Sequence, residues 1–69
     1  MTEFTAIYER GERNRSAYVP DLPGCIATGR SRAQVEKQIR DAIEFHIEGL
    51  RLNGEPVPGP TIEAGVVRV

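Results

Sequence analysis

Few side chains in this sequence are of a type that does chemistry, and their surroundings limit each of them. Cys25 would act as a nucleophile only beside a base and with a lowered thiol pKa. It follows the turn residue Gly24 and opens the apolar run Cys25-Ile26-Ala27, which suits a small buried hydrophobe. His46 is the one histidine and lies in the apolar stripe of a predicted helix. With no second imidazole to converge with, it reads as a core or interface residue. One cysteine excludes an intramolecular disulfide, and one Cys with one His cannot build a structural zinc site. Asp21 stands in Pro20-Asp21-Leu22-Pro23-Gly24, where its carboxylate is expected to cap the local turn. Arg10, Arg13, Arg15, Arg30 and Arg32 gather around two loops, but Glu9 and Glu12 interleave with them. The hairpin arginines have no aromatic stacking platform, so they read as solvated loop charge. No catalytic, cofactor-binding or metal-binding constellation is expected.

The elements that hold these residues can be read from pattern. Residues 3–10 alternate loosely and carry aromatic and β-branched side chains, which predicts a first strand with Phe4, Ala6 and Tyr8 on one face and Ile7 on the other. A polar loop containing Gly11 and Asn14 returns the chain as a second strand, Ser16–Val19, and Cys25–Gly29 makes a third. Between them Pro23-Gly24 suits a type II turn, with glycine supplying the positive φ. The corner Pro20–Gly24 is rigid and is assigned as a partner-binding surface, since binding residues often lie on held loops.

Ser31-Arg32-Ala33-Gln34 fits a capping box. Val35, Ile39, Ala42, Ile43, His46 and Leu50 follow on one helical face, with Glu36–Arg40 and Lys37–Asp41 as i,i+4 pairs on the other side. Asn53-Gly54 is the expected stop, Gly54 being the left-handed residue. Pro56, Pro58 and Pro60 favour an extended connector. Thr61–Val69 reads as a last strand with Gly65 a candidate bulge. The expected fold is α+β in the order β-β-β-α-β: a three-stranded antiparallel meander plus a C-terminal strand packed on one long helix, a single domain over residues 1–69.

Sixty-nine residues bury only about 60% of their unfolded surface, a marginal core without association. One helix covers one sheet face, yet apolar residues fall on both, and the chain carries Val66, Val67 and Val69 in its last strand. Those three valines are the expected oligomer interface. A formal charge of −1, from nine basic and ten acidic residues, gives no broad field for nucleic acid or an anionic membrane. The absence of a spanning apolar run or a signal-peptide core makes the cytoplasm the expected compartment.

Val19-Pro20-Asp21-Leu22-Pro23-Gly24-Cys25, then Thr28-Gly29, a capped helix bearing Phe45-His46-Ile47-Glu48, and Gly54-Glu55-Pro56-Val57-Pro58 together resemble HicB antitoxins. The resemblance runs from about Phe4 to Pro60. It implies a partial RNase H-like fold and a protein-binding role: a non-catalytic, oligomeric antitoxin that masks a small mRNA-cleaving HicA-type ribonuclease. Family members commonly add a C-terminal DNA-binding domain; none is seen in this sequence, so no direct DNA binding is expected. Two alternatives stand beside this reading. A degenerate RNase H-like nuclease would need converging carboxylates for two-metal chemistry, but Glu36, Asp41, Glu44 and Glu48 fall mainly on the solvent side of the helix. An orphan oligomeric module would have no toxin partner.

Overall fold

Two consecutive β-turns give the molecule its corner. The Leu22 amide donates to the Val19 carbonyl at 3.0 Å and the Cys25 amide to the Leu22 carbonyl at 3.0 Å. Pro23 and Gly24 are the central residues of the second turn, and Gly24 has φ +87°, the type II geometry expected of Pro-Gly. The Val19 amide donates to Cys25 at 3.1 Å, which closes the corner onto the strands either side.

The computed structural model describes residues 3–69; the first two residues of the expected 1–69 domain lie outside that range. Three strands, β1 (Ile7–Arg10), β2 (Arg15–Tyr18) and β3 (Ile26–Gly29), form an antiparallel sheet in the order β1-β2-β3, followed by one helix, α1 (Arg32–Leu52). The fold is therefore α+β. In the sheet register Tyr8 faces Ala17 and Ala17 faces Ala27, while Ile7 faces Tyr18 and Tyr18 faces Ile26. Because side chains alternate across a sheet, the first row lies toward the helix and the second on the opposite face. The small Ala17–Ala27 pair allows the helix to approach closely. Val35 and Ile39 join Ala17, Val19, Leu22, Cys25 and Ala27 in one buried cluster, in which each larger apolar side chain contributes about 1.5–3 kcal/mol.

The helix begins and ends on specific bonds. The Ser31 hydroxyl accepts from the Gln34 amide at 3.1 Å. The Gln34 side chain accepts from the Arg30 amide at 2.8 Å, one residue earlier than the reciprocal bond of a capping box. At the other end the Gly54 amide donates to Arg51 at 3.1 Å and Glu55 to Leu50 at 2.8 Å, with Gly54 at φ +71°. These two bonds make a Schellman motif. Lys37 pairs with Asp41 at 3.4 Å as expected. Glu36 instead reaches back to Arg32 at 3.1 Å, and among the described residues Arg40 has no ion pair. Arg32 also lies 3.7 Å over the Tyr8 ring, tying the first helical turn to β1.

Geometry leaves part of the sheet uncovered. A helix is about 10 Å across and strands are about 4.8 Å apart, so one helix spans roughly two strands. Here it packs on β2 and β3, and the inner face of β1 is only partly covered, with Tyr8 half-buried against the core cluster. It is also longer than its support: 21 residues make about 31 Å of helix, against about 13 Å for a four-residue strand. Only Val35 and Ile39 of the helix are buried, and the stripe beyond them (Ala42, Ile43, His46, Leu50) is half-buried.

The expected C-terminal strand does not form. Residues 55–69 have no regular secondary structure, and among the described residues no backbone hydrogen bond joins them to β1. The Pro-rich connector does bring the segment back to the sheet, where the Thr5 hydroxyl donates to the Ile62 carbonyl at 2.9 Å. Beyond that point the tail is exposed, Val66 at 99% and Val67 at 84%.

Candidate partner-binding surface

The corner presents its residues unequally. Leu22 is fully buried and holds the loop from beneath, Pro20 and Asp21 are half-buried, and Pro23 and Gly24 are exposed. The outer face of this loop is thus made by backbone, two prolines and one carboxylate. Cys25 is buried, and burial pushes its thiol pKa up, the opposite of an activated nucleophile.

Asp21 does not cap its own turn. Its carboxylate reaches across the chain and accepts from the Thr61 amide at 3.0 Å, the Ile62 amide at 3.3 Å and the Thr61 hydroxyl. The Thr61 hydroxyl and then the Thr61 N–H hold the Asp21 carboxyl below the usual carboxylate range, with a smaller contribution from the Ile62 N–H, while partial burial works the other way. This residue is therefore a latch between the corner and the start of the tail.

Beside the corner lies a surface that the loop motif did not reveal. Tyr18 leads into the corner and Ile26 leads out of it, and with Ile7 they form a cross-strand apolar row on the sheet face away from the helix. Tyr18 is exposed and Ile26 is 63% exposed. The period-2 alternation of the strands was the available signal, and it marks residues on both faces of each strand. The next row, Glu9, Ser16 and Thr28, is polar. A patch of apolar side chains beside a rigid polar loop is suited to binding a protein surface. Among the described residues no three His, Cys, Asp or Glu side chains come together, and no helix is long and apolar enough to cross a membrane.

A family model described as the HicB-like antitoxin of bacterial toxin–antitoxin systems matches residues 4–67. The chain belongs to that family. The match takes in all three strands, the corner, the helix and most of the tail. Similarity to individual proteins is shorter. An uncharacterized 14.9 kDa protein from the rep-hol intergenic region of Haemophilus phage HP1 is 40% identical over 40 residues, 58% of this chain and 30% of the phage protein. UPF0150 proteins of Thermoplasma acidophilum and Helicobacter pylori are each 36% identical over 45 residues, 65% of this chain and 65% and 62% of their own lengths. The aligned part thus spans less than two-thirds of each of these relatives. No solved structure matches. Family membership points to a regulatory, non-catalytic role in a toxin–antitoxin system.

Proposed function

We propose that this chain acts as an antitoxin that binds a small HicA-type ribonuclease toxin in the cytoplasm and inactivates it by covering its catalytic surface. The observation that carries this reading is the HicB-like family match over residues 4–67. The toxin contacts Pro20, Asp21, Pro23 and Gly24 together with Tyr18 and Ile26, and Leu22 keeps that surface in shape from below. Inhibition is steric: a ribonuclease must admit a phosphodiester backbone, and a rigid loop seated across its active site prevents that. Val66, Val67 and Val69 serve self-association, so the working form is a homo-oligomer.

The test is co-expression with a HicA-type ribonuclease toxin, taken from a neighbouring reading frame where one is found, followed by co-purification and an RNA-cleavage assay. A stable complex in which cleavage is suppressed is the expected result. Unchanged cleavage with no complex would remove the toxin reading. Ile26→Asp then locates the surface. With the fold intact by circular dichroism, it is expected to weaken toxin binding by roughly tenfold or more, as loss of a central apolar contact does.

A further inference from the structure

The partly covered inner face of β1, the segment leading into it and the flank of α1 border an open groove of about 810 Å³, lined by Tyr8 of β1, by Phe4 and Ala6 just before that strand, and by Ile39, Ile43 and Ile47 of the helix, beside three charged helix residues. One wall is a strand whose outer edge has no strand partner among the described residues, because β1 is the end strand of the sheet. Apolar lining beside an unpaired backbone edge is what an added strand requires: the edge supplies main-chain hydrogen bonds and the lining takes alternate side chains. The same chain carries an extended segment with the matching character, Val66-Val67-Arg68-Val69, whose valines touch almost nothing.

The tail is prevented from filling its own groove by the way it is rooted. Asp21 and Thr5 pin Thr61 and Ile62 beside the start of β1. Running onward parallel to β1, the tail would come level with Tyr8 after three residues, about 10 Å, and would set Glu63 and Gly65 against the apolar lining. Val67 is five residues from the pin, about 17 Å, and so passes the end of the groove. Running the other way, it leaves β1 altogether. A second copy has no such register. The seven residues Glu63–Val69 reach about 23 Å when extended, enough to lie along a four-residue strand of a neighbour.

We propose that the tail of one chain adds as a strand to the β1 edge of a second copy, with Val67 and Val69 in the β1–α1 groove, and that the two copies exchange tails reciprocally. Strand alternation then puts Arg68 on the opposite face, the face on which β1 carries Glu9, so the charges are complementary. The β-β-β-α-β order expected from sequence is completed between two chains, and the apolar groove and the valines are buried by one event. The exchange rests on the reading that the tail mediates self-association and adds where it docks.

Two full-length variants, Val67→Cys and Arg40→Cys, are mixed and oxidised, and disulfide-linked dimers are identified by mass spectrometry. Both positions are exposed, Arg40 lines the groove, and Cys25 is buried. A 67–40 link in such a mixture can only join two chains. It is expected in at least about tenfold excess over links between Val67→Cys and Gln38→Cys, which sits on another side of the helix, because docking raises the local concentration toward millimolar. Sedimentation of Val67→Asp with unchanged helicity is expected to show monomer where the unmodified chain is dimeric. A dimer lost on Val67→Asp without 67–40 preference would overturn tail exchange and leave tail-mediated association standing. A dimer that survives Val67→Asp, or an unmodified chain that is monomeric throughout, would overturn both.

Discussion

The Val19–Cys25 corner and the Ile62–Val69 tail are both irregular, and they are held in opposite ways. The corner closes on three backbone hydrogen bonds and a fully buried leucine, so its shape is determined within the chain. Among the described residues the tail is bonded at its root, through Asp21 and Thr5, and its valines are exposed. A loop that spends its apolar side chain inward can present a fixed surface. A segment that keeps its apolar side chains outward must find its packing elsewhere. That contrast supports the proposal that a toxin binds the corner side and a second copy binds the tail.

The largest effect that can separate the two regions is on stability. Leu22→Ala empties a fully buried site and is expected to cost about 2–5 kcal/mol. A chain of 69 residues has only about 3–10 kcal/mol in total, so urea denaturation should find much of it unfolded near room temperature. A near-wild-type midpoint would mean that the corner is not part of the core. Next in size is Gly24→Ala. A Cβ would meet nothing within 4 Å, yet the φ of +87° is one that L residues adopt at a cost of roughly 1–2 kcal/mol. The melting temperature should fall by about 4–8 °C for each kcal/mol lost.

Much of the corner was legible in the sequence because its causes are local. Pro23-Gly24 dictates a turn type, Ser31 a helix start and Asn53-Gly54 a helix stop, each within a few residues. Three features were not legible, and each depends on packing or distance. The Asp21–Thr61 latch spans 40 residues, and a carboxylate between prolines carries no mark of so remote a donor. The pairing of Glu36 with Arg32 instead of Arg40 depends on where the Arg32 side chain settles over Tyr8. The absent fourth strand had the right composition, but a strand exists only where a partner edge is in register, and the latch moves this one out of register. The apolar row Ile7-Tyr18-Ile26 was half visible: alternation assigned Ile7 to the second face, and only the observed register lined up Tyr18 and Ile26 with it.

The tail should respond in the reverse sense. Val66→Asp and Val67→Asp change side chains that are almost fully exposed, so unfolding of the isolated chain is expected to shift by no more than about 0.5 kcal/mol. Their effect belongs to association, read as a change in the concentration dependence of sedimentation. A loss of several kcal/mol in the dilute chain would show that the tail packs in cis, and the contrast with the corner would fail.

The smallest effect lies at the point where the two regions meet. Because hydrogen bonds from Thr61 lower the Asp21 pKa in the folded chain, the folded state binds its proton less readily than the unfolded state. The latch therefore contributes its full stabilisation above the unfolded value of about 3.9 and loses it as the pH falls through the lower folded value. Amide exchange at Thr61 and Ile62 should accelerate across that acid range, while the Leu22 and Cys25 amides, bonded to backbone carbonyls, stay protected until the core itself opens. Asp21→Asn should show the faster Thr61 exchange already at neutral pH, with no acid transition of its own. If Asp21→Asn slows Thr61 exchange or unfolds the corner together with the tail, then the carboxylate is a strut of the loop, and the tail has no separate root from which to reach a second chain.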